Sequence, residues 1–502
     1  LGQSITDARK KKLQENIKLV IVDEAHEWFI SAATSELSDD FGDDGEPFQN
    51  IGGKSASFLR EIVHTILSSE KDANQCLLVT ATPMRKGFGD FFSLVGLLEP
   101  GLKLKFEERI GADADSQQQW IESLSQNWFP LLEKIRVCLD GDLAPLLEEV
   151  AKQLEKFMIF LDDSDYEILS TKFVDPLFLN SLHGEDGLRL RQELINDLHP
   201  LGRYLSVSLR DDLDATDCEQ RYRVMESRTF GYSFDSDLDE MVNELTSRAD
   251  KLPRNWKQQL LDCPMNLQGQ HHSTKFSLHF EKHELLRKKL LPRITKLWNA
   301  DKRLSYLKDL VKDLLEKKKK TNTASGIVIF SRFKNTCFEL QQFLKNSFKD
   351  QVDVYLFLPP IMPKDGSDPI SDSRHSDLRR AREKSTSSPK LQIIVAGESG
   401  SVGLDMEWAN HIVHWTPSLS FGMISQKTWR LDRRMSWSAS IDMKFFVHHL
   451  CNSKNLEAHR AHVNQSYRNA RILLGDRQDL TESKNELIPP DANEQFTREW
   501  SN

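Results

Sequence analysis

At 502 residues the chain exceeds what one hydrophobic core organises, and ordinary domain sizes divide it into about three or four units. A hydrophobic fraction of 39% and a charged fraction of 28% are those of globular protein, and no apolar run approaches the roughly 20 residues of a membrane span. The net charge of −9 excludes a chain that is basic throughout, yet its distribution is uneven: 5 Lys or Arg face 13 Asp or Glu between Gly141 and Pro200, against 18 and 8 between Glu281 and Asp350. Contact with nucleic acid is therefore expected from the second half.

Leu1 is followed by polar residues and by Arg9, Lys10, Lys11 and Lys12, a pattern unlike a signal peptide, so the cytoplasm is the expected location. Cys76, Cys138, Cys218, Cys263, Cys337 and Cys451 stand singly, without a C-x-x-C pair to begin a zinc or redox site. His271, His272, His279 and His283 cluster, but only Glu281 and Glu284 join them, and solvated histidines are the expectation there.

Lys18 to Val22 (KLVIV) and Cys76 to Thr80 (CLLVT) are short β-branched runs that read as strands buried on both faces of a parallel sheet. Between them, Phe58, Leu59, Ile62, Val63, Ile66 and Leu67 recur at helical spacing. From about Leu102 to Arg293 the pattern turns helical and acidic, as in Leu146 to Phe157 and Leu188 to Leu198. Strand and helix alternate again after that: a helix from Arg303 to Leu315, a strand Gly326 to Phe330, a helix from Cys337 to Leu344, then strands at Val352 to Leu356, Leu391 to Ala396, His411 to Trp415 and Lys444 to His448. Asp39 to Pro47 and Pro359 to Asp372 are rich in turn formers and read as exposed loops. The expected fold class is α/β, two parallel-sheet lobes flanked by helices and separated by a mostly helical insertion. The boundaries fall at 1–101 for part of the first lobe, 102–293 for the insertion and the end of that lobe, 294–474 for the second lobe and 475–502 for a tail.

Asp23-Glu24-Ala25-His26 directly follows KLVIV, so its carboxylates emerge at a strand's C-terminal end, where open α/β sheets bind ligands. An aspartate there can hold Mg²⁺ through water, and the adjacent glutamate can orient or deprotonate an attacking water, the two tasks of phosphoryl transfer to water. Thr80-Ala81-Thr82-Pro83 also follows a strand, and its hydroxyls can bond a neighbouring loop.

The run LLVTATPMRKGFGDFFSLVGLLEPG, Leu77 to Gly101, resembles motif III and the following helix of SNF2-like superfamily 2 ATPases, with Ser93-Leu94, Leu97-Leu98 and Pro100 where that family has them. Gly326 to Leu344 resembles its motif IV, a strand ending in a serine and an aromatic before a helix, and the resemblance implies Ser331 and Arg332 as residues that meet nucleotide or DNA. Gly397 to Asp405 (GESGSVGLD) resembles motif V, in which Ser399, Gly400, Gly403 and Asp405 are the residues expected to meet nucleotide or DNA. Gln426 to Arg433 (QKTWRLDR) resembles motif VI. Four motifs in the family's order cover Leu1 to about Pro100 and Leu285 to about Leu474; the middle matches only at Leu198 to Arg210, with a single Arg210 where the family carries several basic residues.

The resemblance implies RecA-like lobes, ATP and Mg²⁺ as cofactors, and a motor that tracks double-stranded DNA without separating its strands. It further implies Asp23 and Glu24 as catalytic carboxylates and Arg430 and Arg433 as arginines that pair with the phosphoryl oxygens of ATP as charge develops. The resemblance also implies that His26, Thr80, Ala81, Thr82 and Gln426 couple the motifs, and the helical insertion is expected to meet protein partners. Two departures stand out. Trp429 replaces the glycine that precedes the first motif VI arginine, and no phosphate-binding loop precedes Asp23 in this sequence. Gly52-Gly53-Lys54-Ser55 imitates the end of such a loop, but Phe48 falls where its opening glycine belongs. Two other readings are a strand-separating DExH helicase and a helicase-like scaffold without hydrolysis. Relatives with long helical insertions occur in transcription recycling and in antiphage defence, and the second is the role the resemblance favours.

Overall fold

A computed structural model describes residues 12, 17–22, 25, 61–63, 65–66, 75–80, 88–96, 98, 101–138, 143–161, 163–201, 224–233, 260–267, 284–321, 326–358, 374–397, 406, 408–418, 420–428, 430–431, 444–454, 456–473 and 487–489. The chain divides into two compact units, one of Leu1–Ser31, Ile51–Asp214 and Gln465–Asn485, the other of Ala32–Asn50, Ala215–Asn464 and Glu486–Asn502. No helix among the described residues is long and apolar enough to cross a membrane.

In the first unit, β1 (Leu19–Val22) and β2 (Gln75–Leu78) pair in parallel, with Leu19 beside Gln75 and Val22 beside Leu78. Alternation sends Val20, Val22, Cys76 and Leu78 to one face, where they pack with Val63 and Leu94. Burial on both faces, expected from the sequence, is not what the structure shows: Leu19 is 50% exposed and Ile21 60%. Both faces of these strands are apolar, but the packing partners among the described residues sit on one of them.

A helical run follows: α1 (Phe88–Val95), α2 (Leu102–Ile110), α3 (Ala114–Ser123), a π-helical turn at Leu124–Trp128, α4 (Phe129–Val137), α5 (Leu143–Phe157), α6 (Asp163–Lys172), α7 (Pro176–Ser181) and α8 (Gly184–Asp197). The start of α3 is set by Asp113, whose side chain accepts from the amide of Ser116 at 2.8 Å. In α5, Leu143, Leu147, Val150, Leu154 and Phe157 recur at spacings of three and four and are buried, which is why the chain is helical here. Trp128 stacks on Phe157 with centroids 5.0 Å apart, and its indole donates to the carbonyl of Leu198 at 3.0 Å.

The second unit is built on a parallel sheet of six described strands, β3 (Val224–Tyr232), β4 (Gly326–Phe330), β5 (Val352–Phe357), β6 (Leu391–Ala396), β7 (His411–His414) and β8 (Lys444–Asn452), in the order β3-β8-β7-β4-β6-β5. Its helices are α9 (Glu284–Asn299), α10 (Lys302–Thr321), α11 (Lys334–Phe348), α12 (Arg374–Ser387), α13 (Phe421–Thr428) and α14 (Leu456–Leu473), the last ending in the first unit. The central strand β4 reads GIVIF and is buried throughout: Ile327 and Ile329 enter the core with Leu307, Leu310 and Leu340, while Val328 and Phe330 enter that of Ala381, Ile394 and Trp408. Gly326 is required by Trp408, because a Cβ there would lie 2.1 Å from the indole Cζ3.

One strand came from an unexpected place. β3 lies inside the range assigned to the helical insertion, yet it forms an edge of this sheet, paired in parallel with β8 from Val224 beside Lys444 to Tyr232 beside Asn452. Its middle, Glu226-Ser227-Arg228, lacks an apolar alternation, and Glu226 pairs with Lys444 of β8 at 2.8 Å. A charged edge strand is stabilised by its neighbour more than by its own pattern.

Candidate functional site

The strand order places β4 next to β7, and their connections diverge: β4 leads through α11 to β5 on one side, β7 through α13 to β8 on the other. Such a switch point, at the carboxyl ends of parallel strands, is where open sheets bind ligands. Here the strand ends are locked together. Ser331 N donates to Ala396 O at 3.0 Å, Trp415 N to Phe330 O at 2.9 Å and Gly397 N to Phe357 O at 3.1 Å.

Four expected residues of this unit are described. Ser331 and Arg332 leave β4; Gln426 belongs to α13 and Arg430 follows it. Helix α13 is pinned to the sheet because Lys427, buried, sets its Nζ 5.4 Å from the Phe330 ring centroid, and Thr428 Oγ1 bonds His414 Nε2 at 3.3 Å. Arg430 is buried as well, and its carbonyl accepts from the amide of Met406 at 3.1 Å, which ties the segment after Asp405 to Arg430.

Ser331 offers little surface to a ligand: it is buried, and its hydroxyl donates to Asp262 Oδ2 at 3.2 Å. Asp262 gathers a polar cluster that the sequence does not announce. Thr336 donates to the same carboxylate oxygen and Thr416 to Oδ1 at 2.5 Å, while the Trp415 indole donates to the Asp262 carbonyl at 3.0 Å. Arg303 reaches the carbonyls of Leu261 and Asp262, each at 3.0 Å, and pairs with Asp301 at 2.7 Å. Its guanidinium lies between aromatic rings, 4.6 Å from the Tyr232 centroid and 4.5 Å from that of Trp415. Burial raises the Asp262 carboxyl above the usual carboxylate range, against the pull of Arg303 and the hydroxyl donors. Its only signal in the sequence is an acid flanked by apolar residues, LLDCPM, which does not by itself distinguish a buried carboxylate from an exposed turn.

A second buried network also went unforeseen. The Tyr306 hydroxyl bonds His448 Nδ1 at 2.6 Å and His448 Nε2 bonds His411 Nδ1 at 2.9 Å, a chain running from α10 through β8 to β7. Burial lowers His448 and His449 to about 3, and His414 falls well below its ordinary value for the same reason.

In the first unit, the amide of Ala25, directly after Asp23-Glu24, donates to Val79 O at 2.9 Å, and Val79 N donates to Val22 O at 2.8 Å. The end of β1 is thereby joined to the backbone that delivers Thr80. Asp23, Glu24, His26, Ala81, Thr82, Ser399, Gly400, Gly403, Asp405, Trp429 and Arg433 lie outside the described residues.

No family model matches the sequence. No curated protein matches it either. Among solved structures the chain is similar to the C-terminal part of the Fun30 ATPase domain, at 11% identity over 51% of this chain and 99% of that one, with a TM-score of 0.31. It is also similar to Mss116p DEAD-box helicase domain 2 bound to an RNA duplex, at 14% identity over 36% of this chain and 68% of that one, with a TM-score of 0.25.

Proposed function

We propose that the chain acts as an SNF2-like superfamily 2 motor that couples ATP hydrolysis to movement along double-stranded DNA, with the second unit as its second RecA-like lobe. The observation that supports this reading is the hydrogen bond from Met406 N to Arg430 O, which joins the segment after the motif V resemblance to the first arginine of the motif VI resemblance. Arg430 and Arg433 pair with phosphoryl oxygens of ATP as charge develops in the transition state. Asp23 would hold Mg²⁺ through water and Glu24 would orient the attacking water, both directly following β1 in the sequence. The Ala25–Val79 bond supports a role for the Thr80 loop in sensing that site. Arg332 and the motif V segment contact the DNA backbone.

Arg433→Ala tests the reading. A transition-state arginine is worth ~10³ to 10⁵ in rate. The variant is expected to fold and bind duplex like its parent while DNA-stimulated ATP hydrolysis collapses. Undiminished hydrolysis would transfer preference to a scaffold that binds nucleic acid without turnover.

A further inference from the structure

At the edge of the second unit's described sheet, one strand removed from β4, an open cleft of about 570 Å³ lies along β5. Lys345 and Lys349 at the end of α11, Arg380 and Lys384 of α12, and Asp353 and Tyr355 of β5 line it. Four cations thus meet one acid. Asp353 is shared by Lys384 at 3.6 Å and Lys390 at 3.5 Å, and Arg380 stands 3.5 Å from Asp377 at the rim. Neither Lys345 nor Lys349 is in an ion pair with a described residue, and Asp350, next to Lys349 in the sequence, is exposed.

The basic character continues beyond the cleft. Lys318, buried at the end of α10, donates to the carbonyl of Ser385 at 2.7 Å and so anchors the run Lys317 to Lys320 beside Lys384; Lys317, Lys319 and Lys320 are exposed there.

Lys349 supplies a separate observation. Its φ of 44° and ψ of −115° make it the one non-glycine residue of positive φ among the described residues. Glycine adopts that conformation without steric cost, whereas a side chain is strained. A lysine stands where the backbone favours glycine, and it lines the cleft.

We propose that this cleft binds the phosphodiester backbone of double-stranded DNA, a contact separate from the strand-end residues of the candidate site. Phosphate needs only convergent cations and carries no requirement for sequence. An acidic peptide added as a further strand is disfavoured, because Gln341 Nε2 already donates to the β5 carbonyl of Val354 at 3.0 Å and occupies part of the edge. The inference shares with the proposed function only its ligand, and the test separates them.

Binding of a fluorescent blunt duplex to the full chain is measured across a salt series for the parent, Lys345→Gln/Lys384→Gln, Lys349→Gly and Arg332→Ala, with polyglutamate as competitor. The double variant should bind several-fold more weakly, and its log–log salt slope should be smaller by about 2, one for each lysine withdrawn from phosphate. Lys349→Gly should weaken binding while raising the melting temperature by about 2–4 °C, since relief of strain and loss of the cation act in opposite directions. Parental affinity and slope in all the cleft variants, with Arg332→Ala impaired, would overturn the cleft and leave the proposed function standing. Absence of duplex binding by the parent would overturn both. Displacement of DNA by polyglutamate at lower charge concentration than by unlabelled duplex would overturn the assignment to phosphate.

Discussion

The hydroxyl of Ser331 donates to Oδ2 of Asp262 at 3.2 Å across 69 positions of sequence, and this bond fixes the end of β4 where the candidate site begins. With Thr336 and Thr416 on the same carboxylate, Asp262 acts as the acceptor around which the segment after β4, the start of α11 and the segment after β7 are arranged.

Removing that acceptor leaves buried hydroxyls unsatisfied. Asp262→Ala should destabilise the second unit by about 2–4 kcal/mol, read as a lower urea midpoint, and Asp262→Asn, which keeps one acceptor oxygen, should fall between it and the parent. A change within about 0.5 kcal/mol for the alanine variant would show that the cluster contributes little.

The buried histidines give the fold a pH dependence of determined sign. His448 and His449 have folded values near 3 against an ordinary value of 6.5, so the unfolded chain binds more protons between those limits. Their contribution is present above pH 6.5 and is lost as pH falls toward 3. Each histidine adds at most about 1.4 kcal/mol per pH unit to the slope. Urea midpoints followed from pH 7.5 to about 4 should fall, and His449→Phe should flatten the curve. Equal slopes for variant and parent would contradict a neutral buried His449.

Gly326 is constrained by contact with Trp408. Gly326→Ala should cost about 1–3 kcal/mol through overpacking, whereas Gly326→Ala combined with Trp408→Leu should recover part of the loss. Simple additivity of the two changes in urea denaturation would contradict this packing account.

The α/β alternation after residue 300 was legible because strands such as GIVIF and LQIIVA are buried on both faces and carry their own signal. β3 was not, since Glu226 and Arg228 interrupt its apolar pattern and its stability comes from pairing with β8. The exposed face of β1 was misread for the converse reason: Leu19 and Ile21 are apolar, and periodicity does not reveal whether a partner covers them. At the candidate site, Ser331, Arg332, Gln426 and Arg430 were nominated by the resemblance to the family's motifs. Asp262, Arg303 and His448 were not, because a buried polar network is assembled from distant positions whose side chains match only after the chain has folded.

The central claim, a motor driven by ATP hydrolysis, is tested most directly at Glu24. Duplex-stimulated ATP hydrolysis is compared between parent and Glu24→Gln in protein verified to carry a phosphate-binding loop, with nucleotide binding measured alongside. The account predicts that the variant binds ATP as the parent does and loses orders of magnitude in turnover. Hydrolysis at the parental rate would contradict it.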